Sequence, residues 1–539
     1  MTAPTRIQPA EVAAAFPPHL TTEYTARLAA LVAAAPGAPT SRAIAPFAGE
    51  RLPAVPLSTV ADVAAAASTA RAAQVAWAGR SVADRSAIVL RFGDLLLAAR
   101  DQLTDLVQWE SGKSRIHAGI EVLGVPMVAA HYGSEAARYL RPETVRSAVP
   151  LVVSAGVTRH PKGLVGVIAP WNYPLFLGVG DVIPALVAGN AVLSKADTQA
   201  PLSLLAARDL AIEAGVPADV WQVVAGPGRV IGQAIVDAVD HLAFTGSTAT
   251  GRRLAAAAGE RLISTSLELG GKNPMIVRED ADLDAAVTGA VQACFASAGQ
   301  MCIGIERILV HSSCHDDFVR RFVAATQALT LGASFDHRFD MGSLTSAEQL
   351  AATCAHVDDA VAKGATVLCG GRPRPDLGPY FHEPTVLTGV VPTMRVYAEE
   401  TFGPVVSVFR VAGDDEAVAR ANDTEYGLSA SIWSRDLVAA RELAARVEAG
   451  AVNLNDGYLS AISSLAAPMG GVKASGVGRR HGAEGILRFT EARTVTAQRV
   501  ATPYPSRTRG YLAATRLFVH AQLTLARRRA RRAGRKESR

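Results

Sequence analysis

A chain of 539 residues, 49% apolar and 19% charged, is too long for one ordinary hydrophobic core and too apolar for a disordered scaffold, so two or three compact domains are expected. The net charge of +5 is unevenly spread: residues 501–539 carry +10 and the rest −5, so the basicity belongs to an appendage. Five cysteines without C-x-x-C spacing exclude a paired disulfide framework and a zinc-ribbon pattern, which points to a reducing, cytoplasmic setting with no metal.

The first residues lack the charged start, apolar run and cleavage site of a signal peptide, and Leu28–Ala35 reads as a short helix. Residues 1–50, rich in Ala, Pro and Thr, read as an extension laid over the body. From Thr59 to Leu140 apolar spacings of three and four predict helices. The stretch 151–159 reads as extended, with Gly156 as a turn or bulge, and by itself fits a plain hairpin as well as an arm that pairs with another subunit. Gly163–Gly180 is uncharged, but Pro170, Asn172 and Pro174 interrupt it, so no transmembrane segment is expected.

From Gly163 to Ser266 strands and helices alternate: Val165–Ile168, a helix from Asp181, Ala191–Ser194, a helix from Leu202, Val220–Val224, a helix from Arg229, His241–Phe244, a helix from Ala249. Such units imply a parallel sheet covered on both faces, with ligands beyond the carboxyl ends of its strands. Two glycine turns fall there, Gly226-Pro-Gly228 and Gly246-Ser247 onward to Gly251, where helix amides and a close backbone approach suit a pyrophosphate. Neither has the Gly-x-Gly-x-x-Gly spacing, and each also fits an ordinary strand-to-helix turn.

A helical pattern from Asp282 through Phe295 breaks at Gly299, and Arg307–Val310 reads as an apolar strand. Cys302 therefore lies in a helix-to-strand connection, where a thiol can face a cleft. Cys294, Cys314, Cys354 and Cys369 read as small core residues. Near the end, Ile486 onward to Thr496 reads as a late strand.

Four segments, in this order, resemble the aldehyde dehydrogenase superfamily over about residues 50–500: Pro170-Trp-Asn-Tyr-Pro174, Leu267-Glu-Leu-Gly-Gly-Lys272, the Cys302 stretch and Glu400-Thr-Phe-Gly-Pro404. The resemblance implies an α/β fold with a Rossmann-like cofactor domain, an α/β catalytic domain and a small β oligomerisation arm. The corresponding division is 1–50 extension, 51–267 cofactor domain with the arm at 147–160, 268–466 catalytic domain, 467–500 return to the cofactor domain, and 501–539 basic amphipathic tail. A homodimer or homotetramer is implied with it.

The chemistry implied is oxidation of an aldehyde to a carboxylic acid. Cys302 is the expected nucleophile, forming a thiohemiacetal whose hydride passes to a nicotinamide and leaves a thioester. Asn172, with the Cys302 amide, is the expected oxyanion donor; it also fits an Asn closing its own turn. Glu268, ending an apolar run, is the expected base for hydrolysis, and a salt bridge to Lys272 is its structural alternative. Glu400 and Phe402 match residues that hold the nicotinamide ribose and pack near its ring, although Phe402 also suits a core. Trp171, Lys195, Thr198, Gly228, Gly246, Ser247 and Leu269 complete the implied cofactor contacts.

Lys195-Ala-Asp-Thr198 stands where the family has Lys-Pro-x-Glu, whose Glu repels a 2′-phosphate. A neutral Thr198 beside Lys195 predicts that NADP is accepted and preferred, while Asp197, if turned to the ribose, would restore NAD. The subgroup resemblance is to actinobacterial succinate-semialdehyde dehydrogenases. However, the tunnel arginines of well-known members are replaced by Gly180 and Ala296, and Met469 replaces a commoner aromatic, so medium-chain aliphatic or aromatic aldehydes compete.

A coenzyme A-acylating variant is disfavoured by Glu268, and a non-catalytic membrane-associated scaffold by the joint presence of Cys302, Glu268 and Asn172. In the tail, Leu512, Leu517, Phe518, Leu523 and Leu525 are expected toward one side, followed by an arginine run. This suggests peripheral contact of 511–539 with an anionic membrane, against a solvated tail. Nucleic acid is not expected, because aromatics are not interleaved with the bases.

Overall fold

The computed structural model describes residues 16–149, 152–499 and 508–537. The chain divides into two units, one holding the residues up to Arg141 with Arg159–Glu491, the other Pro142–Thr158 with the residues from Ala492.

The first unit contains two large sheets. In one, Leu164–Ile168, Ala191–Ala196, Trp221–Ala225, His241–Thr245 and Ser264–Glu268 run parallel, and Gly476–Val477 adds an antiparallel edge beside Ser264–Glu268. The first four strands are buried along their whole length, as expected where helices cover both faces. From Leu164–Ile168 the chain adds two strands on one side and then crosses to His241–Thr245 on the other. This reversal opens a crevice at the carboxyl ends of the strands.

The second sheet has the order Thr366–Cys369, Thr385–Thr388, Val405–Val411, Ile305–His311, Asn273–Val277, Ser429–Trp433, Ala451–Leu454. Its first pair is antiparallel and the rest are parallel.

Several sequence expectations are corrected. Leu28–Ala35 is not one helix: Thr22–Ala29 is helical, then Val32 bridges Val223 and the Ala33 N–H donates to the Val223 carbonyl at 2.8 Å. An open sheet edge with unpaired backbone groups outcompetes a short Ala-rich helix. The helix expected from Asp181 is present as Val182–Val187, with Asp181 at its start, and a further helix not expected from sequence, Pro174–Gly180, precedes it, opened by a proline whose missing N–H suits a first turn. Asp181 is the joint between Pro174–Gly180 and Val182–Val187, its carboxylate drawn to two arginines. The late strand starts at Thr490; Ile486 lies in the helix Gly482–Leu487, since a short apolar run does not distinguish the two conformations.

In the second unit, Val153–Pro161 lies between Glu143–Val145 and Thr490–Gln498 in a three-stranded sheet. No described residue of this unit is buried. The tail is a helix, Thr508–Glu537, with exposed Leu512, Leu517, Phe518, Val519, Leu523 and Leu525. The expected single apolar side is corrected. At about 100° per residue Leu512, Val519 and Leu523 share one side, while Leu517, Phe518 and Leu525 lie roughly opposite. Apolar and basic residues segregate along the axis instead. No described helix is long and apolar enough to cross a membrane.

Candidate active site

The Cys302 loop is built by an abrupt helix stop. Asp282 caps Leu283–Phe295 through the Ala285 N–H, and the chain then turns through Ala296–Gly299, with Ser297, Ala298 and Gly299 all at positive φ. A side chain at Gly299 would sit 2.1 Å from the Gly403 carbonyl, so this turn packs back to back with Glu400-Thr-Phe-Gly-Pro404. Cys302 follows, partly exposed, with its carbonyl accepting from Asn273 Nδ2 at 2.8 Å.

Asn172 is buried after the strand Leu164–Ile168, and its Nδ2 donates to the Gln300 carbonyl at 3.0 Å. Its second N–H remains for another acceptor. A second bridge joins the same segments: Tyr173 Oη meets Ser297 Oγ at 2.9 Å, and Lys113 lies 3.5 Å over the Tyr173 ring while pairing with buried Glu121. Glu121 also accepts from the Leu175 and Phe176 N–H groups. The carboxamide and the thiol loop are therefore held in register by a buried ion pair that sequence reading missed, since nothing local marks Lys113 or Glu121.

Glu268 ends Ser264–Glu268 and is buried, and its Oε1 has no hydrogen-bond partner. Lys272, considered its ion-pair partner from the sequence, instead pairs with Glu306. Burial pushes the Glu268 carboxyl up to about 7, with Arg480, Arg488 and Arg479 opposing and Asp181 adding to the rise. Burial, aided by Glu400 and Glu268 and opposed by Arg480, pushes the Cys302 thiol up to about 12. Burial thus disfavours the charged form of both groups, the Cys302 thiolate and the Glu268 carboxylate.

Glu306, four residues after Cys302 and given no role from sequence, organises the facing segment. Its carboxylate accepts from Thr401 N at 3.0 Å and Phe402 N at 2.9 Å. Gln349 Nε2 donates to the Phe402 carbonyl at 2.8 Å, which helps hold Phe402 at φ 54. Phe402 is partly exposed and stands edge-on to Trp171, ring centroids 5.5 Å apart. Glu400 Oε1 accepts from Gly271 N at 2.9 Å, and burial beside Glu306 pushes its carboxyl up to about 8. Gly271 is required here, because a Cβ would fall 2.6 Å from the Cys302 carbonyl.

The cofactor candidates spread along the crevice. Lys195 is buried at the end of Ala191–Ala196, Nζ donating to the Ala196 carbonyl at 3.2 Å, and the Gly226–Gly228 turn follows the adjacent strand. Asp197 Oδ1 accepts from Gln199 N at 2.9 Å, so one of its oxygens is committed locally; Thr198 is partly exposed. The helix Gly228–Ala238 has no side-chain cap, and nothing lies within 4 Å of where a Gly228 Cβ would be. Ser247 caps Thr248–Glu260, preceded by Gly246. Leu269 is buried, donates its N–H to the Ser475 carbonyl at 2.9 Å, and packs against Gly251. Two helix N-termini at the ends of parallel strands, one uncapped and open, fit a pyrophosphate, and the Trp171–Phe402–Glu400 end fits a nicotinamide riboside. Among the described residues no cluster could hold a metal ion.

A two-sheet α/β body with a crevice at the carboxyl ends of a parallel sheet, faced by the Cys302 loop to which Asn172 is hydrogen-bonded, has the architecture of a dinucleotide-dependent oxidoreductase. The chain belongs to the aldehyde dehydrogenase family, whose sequence profile matches residues 34–495. It is 53% identical over 454 residues, 84% of this chain and 88% of the relative, to a Mycolicibacterium smegmatis protein provisionally named succinate-semialdehyde dehydrogenase [NADP(+)]. It is 38% identical over 463 residues, 84% of this chain and 94% of the relative, to the succinate-semialdehyde dehydrogenase [NADP(+)] of Deinococcus radiodurans. Among solved structures, betaine aldehyde dehydrogenase of Staphylococcus aureus in complex with NAD+ superposes with TM-score 0.85 at 30% identity, covering 90% of this chain and 98% of that one. An NADP dependent enzyme of E. coli gives TM-score 0.83 at 34% identity, covering 87% and 97%.

Proposed function

We propose that this enzyme oxidises succinate semialdehyde to succinate with NADP, using Cys302, Glu268 and Asn172. The observation that carries the catalytic part is the unpartnered, buried Glu268 Oε1 within electrostatic reach of Cys302, on a thiol loop to which Asn172 is hydrogen-bonded. The Cys302 thiol passes its proton to water and its sulfur adds to the aldehyde carbon. The oxygen becomes an alkoxide facing the free Asn172 N–H, a donor worth about 3 kcal/mol in acyl-transfer sites. Bound along the crevice, the nicotinamide supplies the hydride acceptor. Glu268 then takes a proton from water as that water attacks the thioester, and the carboxylic acid leaves as the thiol is restored.

The NADP reading is supported by Thr198 in place of an acid, Lys195 nearby, and an Asp197 already engaged by Gln199. A second reading, a less polar aldehyde, is favoured by the apolar cluster that Cys302 packs against, which includes Met301, Ile303 and Tyr458, with Ile462 and Met469 also on its margin. Buried Ala296 and partly exposed Gly180 supply no tunnel charge. One matrix of kcat/KM values separates these, with succinate semialdehyde, hexanal and benzaldehyde each against NADP and NAD. The expected maximum is succinate semialdehyde with NADP, and Thr198→Glu should lower the NADP column by about tenfold or more through like-charge repulsion. A maximum at hexanal or benzaldehyde transfers the substrate to the second reading, and an NAD preference in the unmodified enzyme overturns the cofactor.

The three-stranded sheet is read as an arm that pairs with a second copy, because three strands in which Thr490 alone is buried lack the packing an isolated sheet needs. The basic end of the tail helix keeps an electrostatic attraction for anionic membrane surfaces, about 1 kcal/mol per base. Deleting residues 501–539 should leave a dimer or tetramer by light scattering and abolish sedimentation with phosphatidylserine vesicles. A monomer in the unmodified enzyme counts against the arm, and vesicle binding without the tail counts against the membrane contact.

A further inference from the structure

Beside Glu268 lies a buried charge cluster that the steps above leave unused. Arg480 Nη2 donates to Asp181 Oδ2 at 2.7 Å and to Thr245 Oγ1 at 2.6 Å, and Arg488 pairs with the other Asp181 oxygen. Thr245 is the register partner of Glu268 in the adjoining strand. Arg480 is fixed on its other side as well: its backbone pairs with Met469, N–H to carbonyl at 2.6 and 2.8 Å. The next residue, Gly470, packs so closely on the base that a Cβ there would fall 2.9 Å from Glu268 Oε1.

The cluster holds two guanidiniums and one carboxylate, a net +1, around a small cavity lined also by Tyr132, Phe176 and His481. Arg480 Nε and Arg488 Nε and Nη1 have no hydrogen-bond partner, so this charge is incompletely neutralised. His481 adds no charge at neutral pH, because burial lowers it to about 4. The charged and titratable groups facing Glu268 are thus Asp181 from the joint between two helices, Arg479, Arg480 and Arg488 from the late segment, and Cys302 from its loop.

We propose that Arg480 is a positioning residue acting through Glu268: its charge, anchored by Asp181 and Thr245, holds the base as a carboxylate and so sets the pH at which the acyl-enzyme hydrolyses. This rests on Glu268 being the base. Burial alone favours the neutral acid, and the nearby positive charge pulls the other way.

The test is the pH profile of kcat in the full-length enzyme with NADP and the aldehyde that turns over best in the matrix above. First-turnover burst amplitude serves as the measure of folded, acylating sites. Arg480→Met should move the acid limb up by about one pH unit, a tenfold change in the protonation equilibrium. Arg480→Lys should leave the limb near its original position, and Asp181→Asn, which removes the opposing charge, should move it down. Should Arg480→Met be poorly folded, Arg480→Gln, which removes the charge while keeping an N–H donor for Asp181 and Thr245, should move the limb up in the same way and decides. Limbs that stay in place while activity falls evenly across pH would overturn the proposal, since a purely structural role predicts that pattern. An acid limb that persists in Glu268→Gln would instead remove the base assignment, leaving the two failures distinguishable.

Discussion

Replacing Glu268 by Gln is expected to lower steady-state turnover by about 10²- to 10⁴-fold, the usual contribution of a general base, while the first-turnover burst of reduced cofactor survives. The carboxamide keeps the volume at a buried strand end but cannot accept a proton from water. Acylation needs no such transfer once the thiol is ionised, so the enzyme should accumulate as the thioester. The pH dependence of the unmodified enzyme follows from the same residue. With the carboxyl raised to about 7 by burial, the base is protonated and inactive below that pH and ionised above it. Turnover should therefore rise through pH 7 to a plateau, and the variant should lack this limb. Stopped-flow measurement of burst and steady state checks both, and unimpaired turnover would exclude Glu268 from deacylation.

Cys302→Ala should abolish the burst together with turnover, a loss of roughly 10⁶-fold if the sulfur acts as nucleophiles in comparable covalent sites do. The thiol itself gives a second readout. Raised to about 12 by burial and two neighbouring carboxyls, it is almost wholly protonated at neutral pH in the cofactor-free protein. Iodoacetamide labelling of Cys302 should then accelerate about tenfold per pH unit between pH 7 and 10, because only the thiolate reacts. Mass spectrometry resolves it from Cys294, Cys314, Cys354 and Cys369, and a labelling rate flat across this range would show that the sulfur is already ionised.

The strands that read clearly from sequence were those with no competing conformation. Apolar runs between glycine turns, such as Leu164–Ile168 and His241–Thr245, had the right length and spacing for buried parallel strands. Errors arose where a distant partner decided. Leu28–Ala35 lost its helix to a sheet edge at Val223, some 190 residues downstream. The tail was misread differently: its apolar residues were counted without their angular positions, and the helix distributes them around its axis.

The candidate site divides in the same way. Sequence alone determined the chemical inventory: a cysteine in a helix-to-strand connection, a carboxyl at the end of an apolar run, an asparagine in a proline-bounded turn, and glycine turns after parallel strands. Those signals are local, written within a few residues by periodicity and turn chemistry. Only the tertiary structure decided what holds these groups and sets their charge: Gln300 and the Lys113–Glu121 pair for Asn172, Glu306 for the Phe402 loop, the guanidinium cluster for Glu268. Burial and long-range pairing set a side chain's ionisation, and both come from residues far away along the chain.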